Sequence, residues 1–191
     1  MKHSALRKFV LIGASTGGPG EIEKIISALN PLKFTSIVIA QHMVNGFIPS
    51  FVNRLQNNSK NPISMAENST LIEVGNIYVC NGHTQIIQQS SQFYFLQKES
   101  PKESYNPNIN LLFNSFSDFA NEIETLGVIL TGIGDDGVNG CNALSLNGAK
   151  CITEDEHAIV DGMPSRARAV IANIEATDIN NIIQIIKEFC E

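Results

Sequence analysis

The 191-residue chain has no run of basic residues. Its 13 Lys and Arg are outnumbered by 19 Asp and Glu, giving a net charge of −6. A nucleic-acid binder needs clustered cations to replace the counterions of phosphate, so nucleic acid is not an expected partner. There is also no C-x-x-C pair. Cys80, Cys141, Cys151 and Cys190 stand at spacings that match no zinc site and read as reduced thiols, so no metal is expected. No hydrophobic run is long enough to cross a bilayer, and the apolar part of "MKHSALRKFVLIG" is too short for a signal peptide. Membrane insertion is not expected, and the cytoplasm is the default location. Neither an internal repeat nor a low-complexity segment divides the chain. At this length one core can be buried without staples, so residues 1–191 are expected to form a single domain.

What is present alternates strand and helix at α/β spacing. "KFVLIG" (8–13), "FTSIVIAQ" (34–41), "LGVILTG" (126–132) and "AKCITED" (149–155) read as strands. "PGEIEKIISALN" follows the first as a helix with Pro19 in its first turn and Ile22, Ile25, Ile26 and Leu29 on one face. Further helices are expected at 47–58, at "INLLFNSFSDFANEI", at the glycine-interrupted "DDGVNGCNALSLNG", and at 178–190 with Asp178 as its cap. Residues 70–97 read as a β-hairpin insertion turning near Ser90-Ser91-Gln92, and 98–108 as an exposed loop. The expected fold is a three-layer, doubly wound, mostly parallel sheet with the hairpin near its active-site edge.

In such a sheet, functional groups gather beyond the carboxyl ends of the strands. The first strand ends in Gly13-Ala14-Ser15-Thr16-Gly17-Gly18, the second in Gln41-His42-Met43, and the third in Thr131-Gly132-Ile133-Gly134-Asp135-Asp136-Gly137. A serine, a histidine and an aspartate at three strand ends are the residue types of a nucleophile, its base and the group that orients the base. Taken singly, each has a plainer reading: Ser15 as a helix cap, His42 as a structural histidine, Asp135 or Asp136 as a cap. Three together on one edge favour catalysis. Of the other histidines, His3 lies near the terminus, His83 in the hairpin and His157 in an acidic loop.

"FVLIGASTGGPG" (9–20) also raises the possibility of a phosphate cradle. A Walker loop needs a lysine after its glycines, and none follows. A dinucleotide site needs G-x-G-x-x-G and an acidic residue closing the second strand, where this chain has Gln41-His42. Both fail. The segment does fit G-x-S-x-G, whose strained strand-to-helix turn exposes a serine hydroxyl.

At these residues the sequence resembles the catalytic domain of the CheB protein-glutamate methylesterases of bacterial chemotaxis. The matching stretches are "IGASTGGP", "QHM" with "GF" three residues on, "VILTGIGDDG", and "GMP" at 162–164. The resemblance implies Ser15 as nucleophile, His42 as general base and acid, and Asp136 as the group orienting His42. Asp135 takes the variable place, free to face solvent or cap the next helix. The implied oxyanion donors are the backbone amides of Thr16 and Ile133; the family usually has methionine at the latter, a change that a main-chain donor tolerates. Gly17 and Gly18 would let the backbone close on the ester, and Met163 would belong to the active-site loop.

The implied reaction is hydrolysis of glutamate γ-methyl esters on the cytoplasmic helical region of methyl-accepting chemotaxis receptors, by a monomer and without a cofactor. Deamidation of receptor glutamines is a further activity of the family. Two departures stand out. Many members carry Arg-Pro-Ser-Val-Asp where this chain has Asn106-Pro107-Asn108-Ile109-Asn110. The family's receiver domain is not expected either, because seven residues precede the first strand. A non-catalytic adaptor of the same fold is the alternative, against which Ser15, His42 and Asp136 all stand intact.

Overall fold

The computed structural model describes residues 7–99 and 105–191; His3 lies outside them, as do residues 100–104 of the expected loop. Seven strands form one sheet: β1 (Lys8–Ala14), β2 (Thr35–Gln41), β3 (Ile63–Ala66), β4 (Ile77–Cys80), β7 (Glu124–Ile129), β8 (Lys150–Glu154) and β9 (Glu175–Thr177). Their order is β3-β4-β2-β1-β7-β8-β9, and every pairing is parallel. The separate hairpin is β5 (His83–Gln89) with β6 (Gln92–Lys98). Ser90 and Ser91, both at positive φ, close its two-residue turn, the backbone twist that tight hairpins require.

Period-two alternation along β1 divides the core. Phe9 and Leu11 point into one layer with α3 (Ile109–Ser117), Met163 and Ala167 of α5 (Met163–Val170), and the hairpin residues Ile86, Phe93 and Phe95. Val10 and Ile12 point into the other, against Ile22, Ile25 and Ile26 of α1 (Gly18–Ala28), Leu55 of α2 (Ile48–Asn57), and Ile182 and Ile186 of α6 (Ile179–Cys190). α4 (Val138–Leu146) contributes Cys141 and Leu144 to the first layer. Each fully buried Ile or Leu is worth about 1.5–3 kcal/mol, so the two apolar layers carry most of the favourable folding term. The four cysteines are buried and unpaired. Burial pushes the Cys80 thiol up to about 12 and Cys190 to about 11. No helix among the described residues is long and apolar enough to cross a membrane.

Several expectations are corrected. Residues 70–97 are not all hairpin, because β4 belongs to the main sheet beside β2. The short strands β3 and β9 were not foreseen, and neither was α5. The helix after residue 108 stops at Ser117 rather than near residue 123. Residues 105–108 are not a free loop but pack against the end of β2. The hairpin packs on the α3 layer, and at its open end His83 Nε2 lies 2.9 Å from the Tyr105 carbonyl oxygen.

Candidate active site

The strand order places β1 at a switch: β2 and β4 lie on one side, β7 and β8 on the other. The crevice at such a point is where doubly wound sheets bind ligands. The ladders fix what meets there. Ala14 pairs with Gln41, and His42 N–H continues the ladder by donating to the Ala14 carbonyl at 2.9 Å. Ser15 is therefore lateral neighbour to His42. On the other side Ser15 N–H donates to the Thr131 carbonyl at 2.9 Å. A buried side chain bolts the serine and histidine segments together, since Gln41 Nε2 donates to the carbonyls of both Ser15 (2.9 Å) and His42 (3.0 Å).

Ser15 is half-buried and sits one residue past β1. Its backbone is not at positive φ, unlike the strained serine expected from the G-x-S-x-G pattern. That conformation falls to Gly17 (φ 86°), the residue before α1. A Cβ on Gly18 would run into Gln41 Oε1. Both glycines are thus needed to turn the chain within three residues, and α1 begins with its N-terminus behind Ser15. The "GMP" motif has a packing role in the facing loop. A Cβ on Gly162 would lie 2.5 Å from the Gly132 carbonyl oxygen, and one on Gly132 would meet Met163 Sδ and lie 2.6 Å from Ser15 Cβ. Met163 is fully buried beneath that loop and does not line the opening.

Asp136 is 1% exposed and accepts from His42 Nε2 at 2.7 Å. Its two oxygens also accept the first two N–H groups of α3, Ile109 (2.9 Å) and Asn110 (3.0 Å). A carboxylate at a helix N-terminus is stabilised by the orphan amides and the helix dipole. Asp135 is exposed, and α4 takes no side-chain cap from it. The expected cap on α4 comes instead from across the loop: Asn110 Oδ1 accepts from Gly137 N–H (3.0 Å) and Gly140 N–H (2.8 Å). Asp136 caps α3 while Asn110 caps α4.

With Nε2 engaged, Nδ1 is the nitrogen of His42 left for Ser15, the reverse of the serine-protease arrangement, where the carboxylate holds Nδ1. There is no Ser15 Oγ hydrogen bond to the ring in this structure; such contacts tighten when substrate closes over them. Tyr105 stacks on the His42 ring, centroids 4.9 Å apart and planes within 3°. Sequence reasoning missed it inside a polar, Pro- and Ser-rich stretch. Asn106 anchors the same segment, with Nδ2 donating to Met43 O (3.3 Å) and Asn45 Oδ1 (2.6 Å) and its carbonyl accepting from Met43 N–H (3.0 Å).

The N–H groups of Thr16 and Ile133 have no acceptor among the described residues, and both residues are exposed at the crevice. Exposed Ile133, Ile159, Val44, Phe47 and Tyr105 add apolar surface in the loops beyond these strand ends. Next to them lies a groove of about 400 Å³ lined by Pro19, Met43, Phe47, Ser50, Phe51 and Arg54. A second cavity, at the amino edge among Leu29, Pro31, Lys33 and Lys187, is remote from this chemistry. One cluster of ligand-type side chains among the described residues, Asp155, Glu156 and His157, is exposed in the loop after β8.

A parallel, doubly wound α/β sheet with serine, histidine and buried aspartate gathered at its switch point defines the class: an α/β protein with a hydrolase-type constellation. Residues 10–186 match the model of the CheB methylesterase family, and the chain belongs to that family. It is 33% identical over 186 residues to the protein-glutamate methylesterase/protein-glutamine glutaminase of Thiobacillus denitrificans, covering 95% of this chain and 52% of that protein. The like-named protein of Photorhabdus laumondii is 34% identical over 176 residues, covering 90% and 50%. The chain thus spans about half the length of the curated relatives it matches. The crystal structure of the Thermotoga maritima CheB methylesterase catalytic domain superposes with a TM-score of 0.87 at 29% identity, covering 95% of this chain and 98% of that one.

Proposed function

We propose that this chain is a protein-glutamate methylesterase that acts in the cytoplasm on the helical region of methyl-accepting chemotaxis receptors and releases methanol from glutamate γ-methyl esters. Ser15 is the nucleophile, and His42 Nδ1 takes its proton as Oγ attacks the ester carbonyl. The Thr16 and Ile133 amides face the oxyanion, aided by the α1 N-terminus. His42 then protonates the departing methoxide, and water attacks the acyl-enzyme with His42 again as base. Asp136 fixes the Nε2–H tautomer and balances the imidazolium. The carrying observation is the Asp136–His42 pair, buried at one end by α3 and set beside Ser15 by the β1–β2 ladder. Deamidation of receptor glutamines uses the same steps with ammonia leaving, and the relatives' names support it.

The test is methanol release from methylated receptor membranes. The parent protein is expected to release it, and Ser15→Ala to fall to background with an unchanged melting temperature. Release by Ser15→Ala at the parental rate would remove the nucleophile from this reading.

A further inference from the structure

Behind the nucleophile turn lies a pair of acidic side chains that the proposed chemistry leaves unused. Glu21 is in the first turn of α1 and Glu154 is the last residue of β8; each is 3% exposed. Glu21 is the neighbour that, after burial, does most to raise the Glu154 carboxyl, so the two acids lie against each other. Neither forms an ion pair with a described basic side chain, and Glu21 Oε2 has no hydrogen-bond partner among the described residues. Two buried carboxyls in contact without a cation cannot both ionise cheaply. Burial first, and Glu21 second, push the Glu154 carboxyl up to about 8, against a smaller downward pull from the Thr131 N–H.

What Glu154 holds is the residue on which the nucleophile turn rests. Thr131 N–H donates to Glu154 Oε2 at 2.5 Å. The Thr131 carbonyl accepts from Ser15 N–H, and Thr131 Oγ1 donates to Thr16 O at 2.9 Å and accepts from Val160 N–H at 2.8 Å. One threonine thus ties Ser15, through its N–H, and Thr16, through its carbonyl, to the loop opposite. The Glu154 main-chain carbonyl is bound by Arg168 of α5 at 2.7 Å, and its side chain serves Thr131.

We propose that Glu154 is a positioning residue for Ser15, acting through Thr131, and that it holds this place only while it shares a proton with Glu21. The proposal rests on Ser15 being the nucleophile. Loss of the shared proton leaves two anions in contact and drives Glu154 away from the Thr131 N–H, loosening Ser15 and Thr16. Other charges nearby are accounted for. Asp155 adds to the same upward push on Glu154, and Arg168 is paired with Asp161 at 2.7 Å. Glu175 of β9 pairs with Lys150, and Glu23 of α1 with Arg54; α4 carries no charge, and Lys187 and Glu188 lie in the last turn of α6.

The sign follows from linkage. The folded value lies above the ordinary 4.5, so the unfolded chain releases this proton first. The stability from this group is full below about pH 4.5 and is lost as pH rises toward about 8.

The experiment measures the rate of active-serine labelling by a fluorophosphonate, and melting temperature, from pH 6 to 10. It uses the parent, Glu154→Gln, Glu154→Ala and Ser15→Ala. In the parent, labelling should rise and then fall along an alkaline limb, with melting falling over the same range. Glu154→Ala should label about 10–100-fold more slowly, the scale of a misplaced reacting group. Glutamine can accept from Thr131 and donate to Glu21, so Glu154→Gln should recover the rate lost in Glu154→Ala and abolish the alkaline limb in both readouts. An alkaline limb in Glu154→Gln matching the parent's would overturn the proposal, as would parental labelling by a folded Glu154→Ala. Parental labelling of Ser15→Ala would sink the nucleophile assignment instead, while the melting comparison still judges the shared proton.

Discussion

Two carboxyl groups lie toward the carboxyl ends of adjacent strands, and the fold treats them oppositely. Asp136, after β7, and Glu154, closing β8, are 1% and 3% exposed. Asp136 faces three N–H donors: the His42 ring and the first two amides of α3. Glu154 faces one amide and another carboxyl. The difference is in the donors, and burial alone does not assign a task. The α3 N-terminus surrounds Asp136 with amide donors, so it can orient a base. Glu154 has another carboxyl beside it instead, and burial and that neighbour push it up.

The strongest attack on this contrast is Asp136→Asn. The carboxylate accepts from His42 Nε2 and Ile109 N–H on one oxygen and from Asn110 N–H on the other. An asparagine has one acceptor oxygen for these three donors. If its NH₂ faces the ring, Nε2 must become the acceptor and Nδ1 carries the proton, the wrong tautomer for taking one from Ser15. If its NH₂ faces α3, the Asn110 N–H is stranded. Turnover should fall by at least about two orders of magnitude, less than the roughly 10⁴-fold of the protease template because an ester is more easily cleaved. The stranded donor should also lower stability by about 1–3 kcal/mol. Steady-state methanol release and thermal melts check both; a variant with turnover within severalfold of the parent would end the special status of Asp136.

Much of this edge was legible in the sequence, for a geometric reason. Parallel strands deliver their next residues to one edge, so "GAST", "QHM" and "TGIGDDG" had to converge wherever their apolar runs paired. The hairpin, too, announced itself through its alternation and the Ser90-Ser91 turn. Other parts depended on long-range partners. The three-residue strand β9 and the four-residue β3 exist because a neighbouring strand offers them a ladder, and their own sequences carry little pattern. Tyr105 sits in a stretch with no periodicity at all, yet its ring lies flat on His42. The reciprocal caps join residues 26 to 30 positions apart, so neighbour rules pointed to Asp135 where the fold used Asn110. The glutamate pair spans α1 and β8 and was equally invisible.

Asn110→Ala sharpens the contrast at smaller scale. Asn110 gives α4 what Asp136 gives α3, a side-chain acceptor for the first amides, but it touches no reacting group. Its loss should cost about 0.5–2 kcal/mol, as for a helix cap, lowering the melting temperature by roughly 1–8 °C in a chain of this size. Turnover should suffer far less than in Asp136→Asn, because the His42 contact is retained. Loss of activity as complete as in Asp136→Asn, with the protein folded, would mean that the two caps act as one unit.

The smallest effect is expected at Asp135→Asn, next in the chain to the largest. Sequence reasoning left Asp135 either facing solvent or capping α4, and a cap would make this variant the less stable one. The structure removes that role: the residue is exposed, Gly137 is the N-cap with no side-chain cap of its own, and Asn110 supplies the acceptor. What remains is a solvated charge near a helix N-terminus, an interaction that salt screens. Melting should therefore stay within about 2 °C of the parent, the usual outcome for a surface change away from any special feature. Turnover should match the parent too, since the Asp135 carbonyl that accepts from Val138 N–H is main chain and survives the substitution. The pair Asp135→Asn and Asp136→Asn makes the same chemical change one residue apart, so composition and net charge are identical and only the donors differ. If the two variants lost comparable activity, charge at this loop rather than the three donors around Asp136 would be what the site requires.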